Sequence, residues 1–243
     1  MDWITGNYIT LAIVIAYGVL FVFYLNAEKK NTDGANFKQA TALKLTLSGM
    51  FCAVGVLSYY LLYNYAHRGG FYLNLQLLVV IGLFVAMAGD FFLQYIRLDI
   101  KKYKTGIRFF TGTQILFLIG MLIVYRIGWR EVVITAAILA LVLLLMKKQD
   151  WQLGEAQKAL TAYTILITLM AAKSVTVFLT DFTAGTLLFM VGAALFLLSD
   201  ILLGVWNYHT DRRAHMNVSW LAYFAGLMLI ALSMSPEFAA YIG

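Results

Sequence analysis

Cysteine and proline each occur once in this chain of 243 residues, and histidine three times. The single thiol, Cys52, excludes an internal disulfide and any cluster of cysteine ligands to a metal. Among apolar neighbours it reads as a small buried apolar residue. Charge is scarce too: Asp, Glu, Lys and Arg make up 12% of the residues, against about 25% in a soluble domain. No His-x-x-His or His-Glu-x-x-His spacing occurs, and His67, His209 and His215 fall in or near different loops, so no metal is expected. There is no phosphate-binding or dinucleotide glycine motif, and no cofactor is expected. There is no Gly-x-Ser-x-Gly elbow and no histidine inside an apolar run, which argues against a Ser-His-Asp hydrolase.

Long hydrophobic runs take the place of all this. Hydrophobic residues are 62% of the chain, above the roughly 45–50% of a soluble domain. No polar stretch is long enough to fold alone, so residues 1–243 read as one membrane-embedded, all-α domain. Eight spans are expected, at about 4–25, 40–63, 71–95, 107–127, 131–147, 158–180, 185–206 and 218–241. The first, Ile4 to Leu25, is long for a signal peptide and lacks a basic leading region, so it reads as a retained span. Gly69-Gly70, Gly128 and Thr183-Ala184-Gly185 mark short turns, and the lone Pro236 lies near the end of the last span.

The net charge of +6 does not point to nucleic acid, because the basic residues fall between apolar runs. Most lie in the first, third, fifth and seventh loops, among them Lys29, Lys30, Lys101, Lys102, Lys147 and Arg213. The even loops hold only Arg68, Arg126 and Arg130. That bias predicts odd loops in the cytoplasm and both termini on the non-cytoplasmic side, in a bacterial cytoplasmic membrane or the ER membrane. The lipid bilayer is the expected surrounding.

Against this background two carboxylates stand out. Val191 to Trp206 is apolar except for Ser199 and Asp200, and Ile81 to Ile96 carries Asp90 in a similar run. An ionised Asp near the middle of a membrane helix costs roughly 2.5–3.5 kcal/mol, which a partner, water or a function must offset. Gly82 precedes Asp90 by the same spacing as Gly192 precedes Asp200, and a Leu follows each Asp at the same distance. The spacing places each glycine roughly on its Asp's face, where a small residue lets a neighbouring helix approach. The matched stretches lie an even number of spans apart. They are read either as a parallel internal repeat of four plus four helices with a site between the halves, or as chance recurrence.

With the expected orientation, Asp90, Asp200, Lys44 and Tyr163 share one depth, toward the cytoplasmic side. Each Asp has a plain reading as a helix-packing group. Together they have a sharper one, as the acid and the base of a buried pair. Lys44 either snorkels to the headgroups or faces the interior with Ser48, Cys52 and Gly55, where it neutralises an Asp or binds a lipid phosphate. Lys173 lies deeper, with Thr176, Thr180 or Asp181 as its expected partners.

At these residues the chain resembles the YhhN-like lysoplasmalogenase family of integral membrane proteins. The resemblance rests on Gly89-Asp90-x-x-Leu93, on Gly192-x-x-x-Phe196-x-x-Ser199-Asp200-x-x-Leu203, on Tyr163 followed by Met170, and on Lys44. The chain departs from the family pattern at Gly120 in the fourth span and at Gly226 in the last, where polar residues are expected. The resemblance implies hydrolysis of the vinyl-ether bond of a lysoplasmalogen, a lysophospholipid, to a fatty aldehyde and a glycerophospho-base. Such a bond opens by protonation at carbon and capture of an oxocarbenium ion by water, chemistry that two carboxyl groups serve in glycosidases. On this reading Asp200, in the more uniformly apolar stretch, is the expected proton donor. Asp90 is the ionised partner that stabilises the oxocarbenium and activates water. Lys44, Tyr163 and Ser199 are the expected substrate-binding residues. A proton-coupled transporter or a non-catalytic lipid-binding protein is the alternative, since membrane carboxylates also relay protons.

Overall fold

The computed structural model describes residues 3–31, 36–65, 70–96, 98–148, 157–208 and 213–235. Within them the chain forms eight helices: α1 Trp3–Lys29, α2 Phe37–Tyr65, α3 Gly70–Leu93, α4 Ile100–Val124, α5 Trp129–Lys148, α6 Gln157–Thr180, α7 Ala184–Tyr208 and α8 Arg213–Leu232. There is no strand among the described residues. Seven of the helices, all but α5, are long and apolar enough to cross a membrane. The chain is an integral membrane protein. Helices suit such a sequence because each closes its own backbone hydrogen bonds without water. Many hydroxyls do likewise: Thr10, Thr41, Thr164 and Thr180 each donate to the carbonyl four residues earlier.

Two boundaries differ most from the hydropathy reading. Helix α4 begins at Ile100, not near residue 107, because Asp99 caps it and accepts from the Lys101 and Lys102 amides at 2.9 and 3.2 Å. Lys101, Lys102, Lys104 and Arg108 are therefore helical rather than in a loop. Helix α8 ends at Leu232, short of the expected 241, where the chain turns and the Ser235 amide bonds the Leu232 carbonyl at 2.9 Å. His67, Arg68, Gly69, His209 and Pro236 lie outside the described residues.

Packing closes a ring. Each of α2, α3, α4, α6, α7 and α8 lies against the next in that order, and α8 returns to α2. Helix α1 lies outside the ring on α2, and α5 on α6. Both flanking helices show apolar residues to their surroundings: Leu11, Ile15, Val19 and Phe23 on α1, and Val132, Leu141 and Leu144 on α5. In lipid such exposure carries no penalty.

Glycines set the closest approaches. A Cβ at Gly192 would lie 2.6 Å from the Gly226 carbonyl oxygen, and one at Gly226 would lie 2.8 Å from that of Gly192. Gly226 therefore holds α7 against α8, which accounts for a glycine where a polar residue is expected. On α3, a Cβ at Gly82 would meet Phe117 of α4 at 2.5 Å. Gly82 thus faces α4, whereas the Asp90 carboxylate faces Lys44 and Ser48 on α2 and Tyr223 on α8. The expectation that glycine and Asp share a face is corrected here, since eight residues of helix leave a rotation of about 80° between them.

Candidate active site

Asp90 is wholly buried near the end of α3 and meets three partners. The Lys44 ammonium stands 3.3 Å from Oδ1, with the two side chains 3% and 0% exposed. Ser48 Oγ donates to Oδ2 at 2.5 Å, and Tyr223 Oη donates to the same oxygen at 2.7 Å. Lys44 and Ser48 lie one turn apart on α2, so one helix face supplies both. The Tyr223 ring is fixed edge-on by Phe110, Phe196 and Phe224, at centroid distances of 5.8, 5.5 and 5.0 Å.

Asp200, on α7, has a different setting. It is partly exposed, and Oδ2 accepts a hydrogen bond of 2.5 Å from Tyr163 on α6. Asp200 and Tyr163 line a cavity of about 90 Å³ together with Lys44, Tyr103, Ser199 and Tyr223. That is room for several waters. Val142, Leu160, Ile167 and Leu203 give it an apolar wall. At one edge the hydroxyls of Tyr103 and Tyr208 stand 3.3 Å apart. Ser199 spends its hydroxyl on the Phe196 carbonyl at 2.7 Å, and its own carbonyl accepts from Ser219 at 2.7 Å, which ties α7 to α8.

The residues singled out from sequence thus gather at one end of the bundle, as two pairs: Lys44 with Asp90 and Tyr163 with Asp200. The pairs are not equivalent. Asp200 reaches the cavity. Asp90 does not line it, although its partners Lys44 and Tyr223 do. On the Asp90 side, Tyr17, Phe21, Tyr24, Trp220 and Phe224 pack ring against ring. Tyr17 of α1 also donates to the Phe224 carbonyl at 2.8 Å.

Sequence reading missed Tyr223, Tyr103, Ser219 and Gln114 as parts of this region. A tyrosine in an aromatic-rich helix carries no signal of its own. Gln114 did carry one: it is an amide in the apolar run of α4, and it is fully buried there. It supplies a polar residue in the fourth span, a turn and a half before Gly120.

Lys173 is also placed differently from expectation. Its ammonium meets Glu131 of α5 at 2.7 Å and the Arg126 carbonyl at 2.6 Å, and Thr176 donates to the same Glu131 oxygen at 2.9 Å. Asp181 instead accepts from Tyr125 at 2.7 Å. It lines a second cavity of about 140 Å³ at the opposite end of the bundle, which shares no lining residue with the first. Cys52 is buried and free. Among the described residues, no group of three or more His, Cys, Asp or Glu is placed to hold a metal ion.

Neither a curated protein nor a solved structure matches the chain. The sequence profile of the YhhN family matches residues 50–234, a stretch that contains Asp90, Tyr163, Ser199 and Asp200 and begins just after Lys44. With most of its length matched in this way, the chain belongs to the YhhN family.

Proposed function

We propose that this membrane protein is a lysoplasmalogenase-like hydrolase, which cleaves the vinyl-ether bond of a lysoplasmalogen to a fatty aldehyde and glycerophosphoethanolamine or glycerophosphocholine. The observation that carries this reading is the cavity with Asp200, held by Tyr163, on its wall and Lys44 among its lining residues. The lining offers apolar side chains for an alkenyl chain, Val142, Leu160 and Leu203 among them, and polar ones for a phosphate and glycerol, Lys44 and Tyr103.

In this reading the Asp200 carboxyl gives its proton to the alkene carbon beta to the ether oxygen. The π pair forms the new C–H bond, and an oxocarbenium ion remains on the carbon attached to oxygen. Water adds there and returns a proton to the Asp200 carboxylate. The hemiacetal then splits: its C–O bond breaks, the glycerol oxygen takes up the hydroxyl proton, and the aldehyde leaves. A positioned acid of this kind contributes about 10²–10⁴-fold. Asp90 acts at a distance. It holds Lys44 and Tyr223 against the cavity, and its negative charge lies behind them as the oxocarbenium forms. Lys44 meets the substrate phosphate.

The same reading places the cavity toward the cytoplasmic leaflet, has all eight helices cross the membrane as one domain, and puts both termini on the non-cytoplasmic side, from the distribution of Lys and Arg. It also takes the two halves as a parallel duplication. The contacts α1 to α2, α2 to α3 and α3 to α4 recur as α5 to α6, α6 to α7 and α7 to α8, and α2 to α8 recurs as α6 to α4. The crossing of Gly82 with Thr113, whose hydroxyl bonds the Gly82 carbonyl at 3.2 Å, recurs as Gly192 with Gly226.

Proton-coupled transport is the competing reading. The second cavity at the opposite end favours it, whereas eight uninterrupted helices and cavities that share no wall favour the enzyme. Purified protein incubated with lysoplasmalogen in D₂O separates the two. The hydrolase releases aldehyde with one deuterium on the carbon next to the carbonyl, trapped before it can exchange. Absence of aldehyde from folded protein sinks the enzyme reading.

A further inference from the structure

Gln114 is 0% exposed. It continues the stripe of α4 that lines the cavity: Tyr103, Ile107 and Phe110 face it, and Gln114 follows at the same helical spacing, one turn deeper. Neither atom of its amide has a hydrogen-bond partner among the described residues. A primary amide offers two donors and a carbonyl acceptor, and leaving them unmade in an apolar interior is costly.

The group beside it is the Tyr163 hydroxyl, close to the amide but outside hydrogen-bond geometry with it. A phenol has one proton, and that of Tyr163 goes to Asp200 Oδ2. The lone pairs of the same oxygen are left to accept. The unspent N–H groups of Gln114 are donors of the matching kind, at the matching place. We infer that Gln114 is a positioning residue for Asp200: its amide donates into the Tyr163 hydroxyl, directly or through one water, and so commits the tyrosine proton to the carboxylate. The inference rests on the hydrolase reading of the site. It adds that the Asp200 acid is oriented from α4, across α6, and not by Tyr163 alone. Donation from Gln114 removes the alternative in which the phenol swings into the cavity and bonds substrate or solvent.

The test uses Gln114→Met and Gln114→Leu in the full chain, with thermal unfolding followed to confirm folding. Loss of one neutral hydrogen bond should lower kcat about fivefold, with KM held within about twofold. Adding either change to Tyr163→Phe should lower turnover no further than Tyr163→Phe alone, because the amide acts through that hydroxyl. A second readout does not depend on activity. With 3-fluorotyrosine placed at position 163, the ¹⁹F resonance should move in both Gln114 variants. Wild-type kcat with an unmoved resonance overturns the inference, as do losses that multiply in the double variant. If Asp200→Asn and Tyr163→Phe themselves keep full turnover, the hydrolase reading falls, and the ¹⁹F resonance alone then decides whether Gln114 orders Tyr163.

Discussion

Lys44 and Asp90 form an ion pair of 3.3 Å in which neither side chain reaches solvent to more than 3%. Removing one partner leaves a bare charge in an apolar bundle, at about 3–5 kcal/mol. Asp90→Leu should therefore lower the unfolding temperature sharply in detergent. Replacing both, with Lys44→Met and Asp90→Leu together, should recover most of the loss, because no unpaired charge remains. A double variant no more stable than the single one would show that the pair contributes little beyond its shape.

A similar pair stands at the other end. Glu131 receives the Lys173 ammonium at 2.7 Å and the Thr176 hydroxyl at 2.9 Å. Glu131→Ala leaves the lysine, among the described residues, with the Arg126 carbonyl alone, so α5 should loosen from α6. The expected outcome is faster proteolysis near Trp129 and a lower unfolding temperature, with turnover changed less than by any Asp200 variant. Equal loss of turnover and stability would tie this cluster to the chemistry.

Gly192 and Gly226 hold α7 against α8 through backbone approach. Gly192→Val should prevent the two helices from closing and abolish monodisperse protein on size exclusion. Gly18 is the control, because a Cβ there meets nothing within 4 Å. Gly18→Ala should be neutral or stabilising by up to about 1 kcal/mol, the helix propensity difference.

The fold was legible in the apolar runs, because in lipid a run of that length has one economical backbone solution. The errors fell where polar residues extend a helix beyond the apolar run, as at Asp99, or where a turn ends it early, as at Ser235. Asp90, Asp200, Lys44 and Tyr163 were legible because charge or hydroxyl in an apolar span is costly and therefore conspicuous. Their division into one cavity-facing carboxylate and one enclosed by partners was not. That depends on rotation about each helix and on the aromatic packing contributed by α1, and neither is written in spacing along one helix. Tyr223 stayed hidden because an aromatic residue in a membrane span looks like core until its hydroxyl is located. The Lys173 partner was misjudged for the opposite reason: Glu131 is distant in sequence but adjacent across the α5–α6 contact.

Tyr163 donates its only proton to Asp200. A hydrogen bond to a charged or developing-charge group contributes about 1.5–3 kcal/mol, so Tyr163→Phe should lower kcat about 10- to 100-fold. KM should change less, because the ring still fills its place in the wall. A variant that raises KM and leaves kcat intact would make Tyr163 a binding group alone.

Aldehyde release by Asp200→Asn, compared with the wild type in the same micelles and at matched folded fraction, tests the central claim most directly. The amide keeps the shape of the side chain but cannot serve as the acid. Turnover should fall by at least about 10²-fold, the low end for general acid catalysis. Wild-type release of aldehyde by folded Asp200→Asn would contradict the account and leave Asp200 as a helix-packing partner of Tyr163.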